Sequence, residues 1–165
     1  DKIHMFDVSL EDGQVYKESS SYTPGNNLVI ANLPFCNLGL SICYDLRFPN
    51  FYTSLASAGA DVIVVPSAFI FKTGSAHWET LLRSRAIETS SNIIAPAQCG
   101  IHKNGRVSWG HSMIINEWGR IIAQAGKSES FIISEIDTKQ SKKQRKNIPT
   151  LSSFKKYKIK TVKCY

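Results

Sequence analysis

Leu38-Gly39-Leu40-Ser41-Ile42-Cys43-Tyr44-Asp45-Leu46-Arg47-Phe48-Pro49 is the stretch that decides the fold. Residues 38–43 are apolar or small, as expected for a buried strand. From Phe48 to Ala58 apolar residues recur at helical spacing, and Gly59 stops them. A sharp strand-to-helix turn lifts the side chain it carries above the sheet edge, beside backbone N–H groups that can stabilise an oxyanion. Cys43 sits at that turn and is a candidate nucleophile. A cysteine at a strand end also serves as a small buried hydrophobe. On geometry alone both roles stay open.

On the N-terminal side, 28–33 is a strand candidate, 9–27 is polar with turn signals at Asp12-Gly13 and Pro24-Gly25, and 2–8 alternates in part like a short strand. On the C-terminal side, 61–67 is β-branched and apolar on both faces, as a buried strand is. The clearest helix is 76–89, where Trp78, Leu81, Leu82 and Ala86 form one stripe and Thr73 or Ser75 could cap the start. Strands follow at 92–97, 110–116, 120–125 and 131–136, with Glu117-Trp118-Gly119 as a hairpin turn. Strands alternating with two helices predict an α/β layered domain. Two helices cannot cover both faces of so many strands, so further cover must come from additional chain or a partner subunit.

The 165 residues suffice for one domain with a core. The apolar runs, such as 60–71, are too short and interrupted to span a bilayer, and no secretory signal is expected from Asp1-Lys2-Ile3-His4-Met5-Phe6. Cysteines at 36, 43, 99 and 164 form no C-x-x-C pair, so no metal site and no redox motif are expected, and reduced cytoplasmic thiols are the default. Cys36 and Cys99 read as packing residues, and Cys164 as an exposed tail thiol. The net charge of +7 is uneven. Ten of the 20 basic residues lie in 139–163, which holds no acidic residue. Residues 139–165 are thus expected to be a solvated basic tail on a 1–138 domain. Only Phe154 and Tyr157 interrupt its charge, so nucleic-acid binding has little support.

Several segments together resemble the carbon–nitrogen hydrolase (nitrilase) superfamily. Gly39 to Pro49 is similar to its nucleophile motif, Lys2 to Asp7 to its lysine segment, and Glu18 to its second glutamate. Residues 66–69, 73–79, 82–88, 97–100 and 109–113 resemble the branch of deaminated glutathione amidases and ω-amidases, and Ala97-Gln98-Cys99-Gly100 favours the former. The likeness covers 1 to about 150.

The resemblance implies an αββα sandwich, of which this chain is the C-terminal portion, associating as a homodimer or larger homo-oligomer. It implies an amidase without cofactor, acting on a small linear carboxamide through a thioester on Cys43 and releasing ammonia. Lys2 and the Tyr44 N–H are expected to hold the oxyanion, and Glu18 to position the lysine or the water. A thiolate needs a nearby cation or base at neutral pH, which suits these roles. The family's general base is another glutamate, upstream of the lysine segment. Lys2 is almost the first residue and the chain opens on Asp1, so the chain is expected to be an N-terminally truncated fragment, inactive alone. The alternatives are an ω-amidase and an inert scaffold.

Around the nucleophile, Asp45 and Arg47 are expected to form a structural ion pair. His4 is a candidate for lining the site, while His77 and His111 read as structural. Trp78 is expected in the core, and Arg85 needs Glu79 or Glu88 as partner.

Overall fold

A computed structural model describes all residues except Asp12, Asn104, Phe154, Cys164 and Tyr165. The first half of the Asp12-Gly13 turn signal, the tail aromatic Phe154 and the thiol of Cys164 lie outside the described residues.

Six strands form one mixed sheet in the order β10-β9-β6-β5-β4-β3. These are β3 (Val29–Asn32), β4 (Asn37–Leu40), β5 (Val62–Val64), β6 (Asn92–Ala95), β9 (Met113–Ile115) and β10 (Ile121–Gln124). The central trio β4, β5 and β6 is parallel, and the flanking pairs are antiparallel. Two short antiparallel ribbons stand outside it: β1 (Asp7–Ser9) with β2 (Val15–Lys17), and β7 (Cys99–Ile101) with β8 (Val107–Trp109).

Register places Gly39, Ile63, Ile93 and Ile115 in one row across the sheet. Helices α1 (Pro49–Ser57) and α2 (Phe71–Thr89) pack on that face, with Tyr52, Leu55, Trp78, Leu82 and Ala86 fully buried against it. The opposite face presents Leu40, Val64, Ile94 and Ile114, and Leu40 is 38% exposed. The six-stranded sheet thus carries α1 and α2 on one face.

Several elements differ from the sequence expectation. The expected strand 2–8 shrinks to β1, because the His4 N–H donates to Asp45 and the Phe6 N–H to Glu18 rather than to a neighbouring strand. Within the expected polar loop 9–27, β2 and a 3-10 turn (Glu18–Ser20) form, each too short to leave a periodic signal. Helix α2 begins at Phe71, not 76, so Thr73 and Ser75 lie inside it and neither caps it. Its first turn is fixed by packing instead: Gly74 sits so close under Trp109 that an added Cβ would lie 2.3 Å from the Trp109 Cβ. Residues 131–136 form no strand, and Phe131 and Ile133 are 85% and 81% exposed.

The basic run is not wholly a solvated tail. Its first part is helix α3 (Thr138–Asn147), capped by the Asp137 carboxylate, which accepts the Lys139 N–H at 2.9 Å. Ser141 is buried and accepts from Asn92. The Arg145 guanidinium donates to Thr89 O at 3.0 Å, Ser91 Oγ at 2.7 Å and Ala60 O at 2.5 Å. No helix is long and apolar enough to cross a membrane among the described residues.

Candidate active site

Strand β4 ends at Leu40, and the chain enters a 3-10 turn at Cys43 that runs to Arg47. Cys43 takes φ +48°, a left-handed conformation that costs a non-glycine residue about 1 kcal/mol or more. The surroundings enforce it. The Cys43 N–H donates to Pro66 O at 3.0 Å, and the Asp45 carboxylate accepts the Ile42 N–H at 3.0 Å from three residues ahead. Asp45 is 1% exposed and also accepts the His4 N–H at 2.9 Å and bonds His4 Nδ1 at 2.8 Å. The elbow and the N-terminal segment are thereby tied to each other.

The expected Asp45–Arg47 ion pair does not form. Asp45 is spent on His4 and Ile42, while Arg47 points into the cleft, with its guanidinium over the rings of Tyr44 (5.9 Å) and Phe69 (5.3 Å). Burial pulls the Arg47 pKa down, opposed by Tyr44 and Cys43. His4 does not line the cleft either, since it stacks on Phe48 with ring centroids 3.5 Å apart. His77 faces Arg47 at 3.3 Å, and His111 bonds the Trp109 carbonyl, so neither adjoins Cys43 among the cleft residues. Arg85 takes Glu88 at 2.8 Å, one of its two expected partners.

A cleft of about 1090 Å³ opens over Cys43. Lys2, Glu18, Tyr44 and Arg47 line it with the cysteine. The Lys2 ammonium bonds the Glu18 carboxylate directly and lies 5.9 Å from the Tyr44 ring centroid. Glu18 also accepts the Phe6 N–H at 2.6 Å. Sequence reasoning missed two cations in the wall, Lys17 and Arg106. Arg106 precedes β8 and is remote in sequence, so only the folded ribbon reveals it.

Burial pushes the Cys43 thiol above its ordinary pKa, and the Glu18 carboxylate adds to the rise. A hydrogen bond with the Ala68 backbone, the Lys2 charge and a hydrogen bond with Ser67 oppose it. One ammonium already paired with a carboxylate does not make a resting thiolate here. Deprotonation must accompany attack, which is what a general base supplies. Glu18 is the one carboxylate in the cleft wall among the described residues, and it is engaged by Lys2 and Phe6. Among the described residues no cluster of three acidic, histidine or cysteine groups could hold a metal ion.

A model of the carbon–nitrogen hydrolase family matches residues 1–146. The chain belongs to this family. It is 47% identical to the deaminated glutathione amidase of Yersinia enterocolitica over 153 residues, covering 92% of this chain and 53% of that protein. It is 38% identical to the human omega-amidase over 148 residues, covering 90% and 54%. The crystal structure of the C. elegans NitFhit protein superposes with a TM-score of 0.86 at 39% identity, covering 93% of this chain and 37% of that one. The chain spans about half the length of the curated relatives it matches.

Proposed function

We propose that Cys43 is the nucleophile of an amidase that forms a thioester with the acyl half of a small linear carboxamide, and that deaminated glutathione is its preferred substrate. The observation that carries this is one cleft holding a thiol in a strained elbow, an ammonium and an anion-binding arginine. Greater identity to the deaminated glutathione amidase than to the omega-amidase favours the first substrate over 2-oxoglutaramate.

In this reaction Cys43 Sγ attacks the carbonyl carbon as its proton passes to a base. Charge develops on the carbonyl oxygen, where the Lys2 ammonium and the Tyr44 N–H stabilise it. The cost of the αL backbone at Cys43 is met by the bonds around Pro66 and Asp45, so the thiol is held for attack before substrate arrives. The tetrahedral adduct collapses when the amine leaves as the neutral, protonated species. On a primary carboxamide that amine is ammonia. On deaminated glutathione the nitrogen carries cysteinylglycine, and the dipeptide departs instead. Water then hydrolyses the thioester. Glu18 holds Lys2 toward the oxyanion, and we assign the proton transfers to the glutamate that the family carries upstream of its lysine segment. General acid–base catalysis is worth about 10²–10⁴-fold, so this chain alone is expected to turn over amides poorly.

Arg47 supplies the counter-charge for the 2-oxo acid end of the acyl half, since guanidinium binds carboxylate bidentately. A homodimer or larger homo-oligomer belongs to the same proposal, and the Leu40–Val64–Ile94 face is the one that the second sheet of an αββα sandwich would cover. The free thiols of Cys36, Cys43 and Cys99 suit a reducing, cytoplasmic location. The test is turnover of deaminated glutathione and of 2-oxoglutaramate, followed as 2-oxoglutarate, in a protein that includes the upstream glutamate. Activity on the former that vanishes in C43A is expected. No product from either amide overturns the proposal.

A further inference from the structure

The cleft wall holds four cations, Lys2, Lys17, Arg47 and Arg106, against the single carboxylate of Glu18 among its described residues. Lys2 and Glu18 neutralise each other. A wall with four cations and one carboxylate among its described residues suits an anion with more than one negative group. The two arginines also come from different parts of the fold. Arg47 ends the 3-10 turn that begins at Cys43, so it serves the end of the substrate nearest the nucleophile. Arg106 arrives on the β7–β8 ribbon, which is anchored elsewhere, against the start of α2.

That anchoring is firm. Trp109 N donates to Phe69 O at 2.8 Å, Ser108 bridges to Ile70, and Trp109 packs directly on Gly74. His102 Nε2 meets the buried Ser108 Oγ at 2.6 Å across the ribbon. The His102 N–H donates to Arg106 O at 2.8 Å, which fixes the backbone of Arg106 itself. An arginine on so pinned a support loses little freedom when it grips a planar anion.

Resting on the amidase reading above, we propose that Arg106 binds the terminal carboxylate of the amine half of the substrate and so selects deaminated glutathione over shorter amides. The chemistry of the two substrates makes the distinction. Both carry a 2-oxo carboxylate on the acyl side of the scissile bond. Only deaminated glutathione carries a second carboxylate, at the end of the two residues beyond the amide nitrogen. Two extended residues reach about 7 Å, which sets that carboxylate well away from the scissile bond, and Arg106 lines the same cleft as Cys43. In 2-oxoglutaramate nothing lies beyond the nitrogen, and Arg106 has no group to hold.

The test uses this chain with C43A, so that no turnover confuses binding, and calorimetric titration with deaminated glutathione and with 2-oxoglutaramate. The readout is the ratio of the two dissociation constants. R106Q is expected to reduce the preference for deaminated glutathione by about tenfold to a hundredfold, the span of a charged hydrogen-bonded pair. R106K is expected to recover part of it, and it decides the matter should R106Q fail to fold. R47Q is expected to weaken both ligands and to leave the ratio close to its starting value. A preference unchanged in R106Q and R106K overturns the inference about Arg106 while leaving the amidase reading in place. Binding of neither amide to the C43A chain overturns the reading of the cleft itself, and the inference with it.

Discussion

The Lys2 ammonium bonds the Glu18 carboxylate, which also takes the Phe6 N–H at 2.6 Å. The N-terminal segment and the Glu18–Ser20 turn are thereby fixed together at one wall of the Cys43 cleft. The lysine so held lines the cleft, with its ammonium 5.9 Å from the Tyr44 ring centroid. The two partners act on the thiol in opposite directions, because Glu18 raises the Cys43 pKa while Lys2 lowers it. The pair therefore suits stabilising an oxyanion better than generating a thiolate.

Alkylation of Cys43 by iodoacetamide should accelerate with rising pH, with its midpoint above the ordinary thiol value, because burial raises the folded pKa. K2M removes a charge that lowers that pKa. The midpoint should then rise further and the rate near pH 8 should fall. Stopped-time alkylation followed by peptide mass spectrometry measures both. A rate already at its plateau near pH 7 would contradict the assigned environment.

D45A should destabilise the fold by about 3 kcal/mol. It removes a buried carboxylate and leaves the His4 and Ile42 N–H groups without an acceptor. Urea unfolding measures the loss. The same variant should slow Cys43 alkylation relative to Cys36, since the elbow loses its brace. A change below about 0.5 kcal/mol, the range of ordinary surface substitutions, would show that Asp45 does not brace the elbow.

Gly74→Ala sets two effects against each other. Alanine favours a helix by about 1 kcal/mol over glycine. Overpacking costs about 1–3 kcal/mol, and here the clash is with the stem of Trp109 rather than a flexible tip. The clash should win, lowering Tm, and near-ultraviolet circular dichroism should register a displaced tryptophan. A stabilised variant would contradict the packing.

Much of this architecture was legible in the sequence. The 38–49 stretch announced the elbow because an apolar run, a cysteine and a helical period follow one another. The 61–67 strand is visible because burial on both faces leaves the β-branched run Val62-Ile63-Val64-Val65. What failed was the structure whose cause lies far along the chain. Residues 2–6 looked like a strand, but their N–H groups belong to carboxylates 12 and 41 positions away. The start of α2 was hidden because Gly74 is chosen by Trp109, not by helix propensity. An arginine two residues from a carboxylate reads as its ion-pair partner, whereas His4 claims Asp45 and the cleft claims Arg47. The tail charge concealed α3, whose Arg145 spends its guanidinium on carbonyls of the domain.

R145A should accordingly cost about 2 kcal/mol, since it strips Thr89 O, Ser91 Oγ and Ala60 O of a shared donor. Substituting Lys158 and Lys160, which are exposed beyond α3, should change stability by less than about 0.5 kcal/mol. Thermal unfolding of the two variants compares them. Equal effects would return α3 to the status of a solvated tail.

Acyl transfer to Cys43 is the central claim, and a nitrophenyl monoester of glutaric acid tests it on this chain directly. Nitrophenolate leaves without a proton, so no general acid is needed. Intact-mass and peptide mass spectrometry after acid quench should show one glutaryl group on Cys43, absent from C43A and formed more slowly in K2M, with Cys36 and Cys99 unmodified. A chain that acquires no acyl group on Cys43, or acquires it equally on the other two thiols, would contradict the claim.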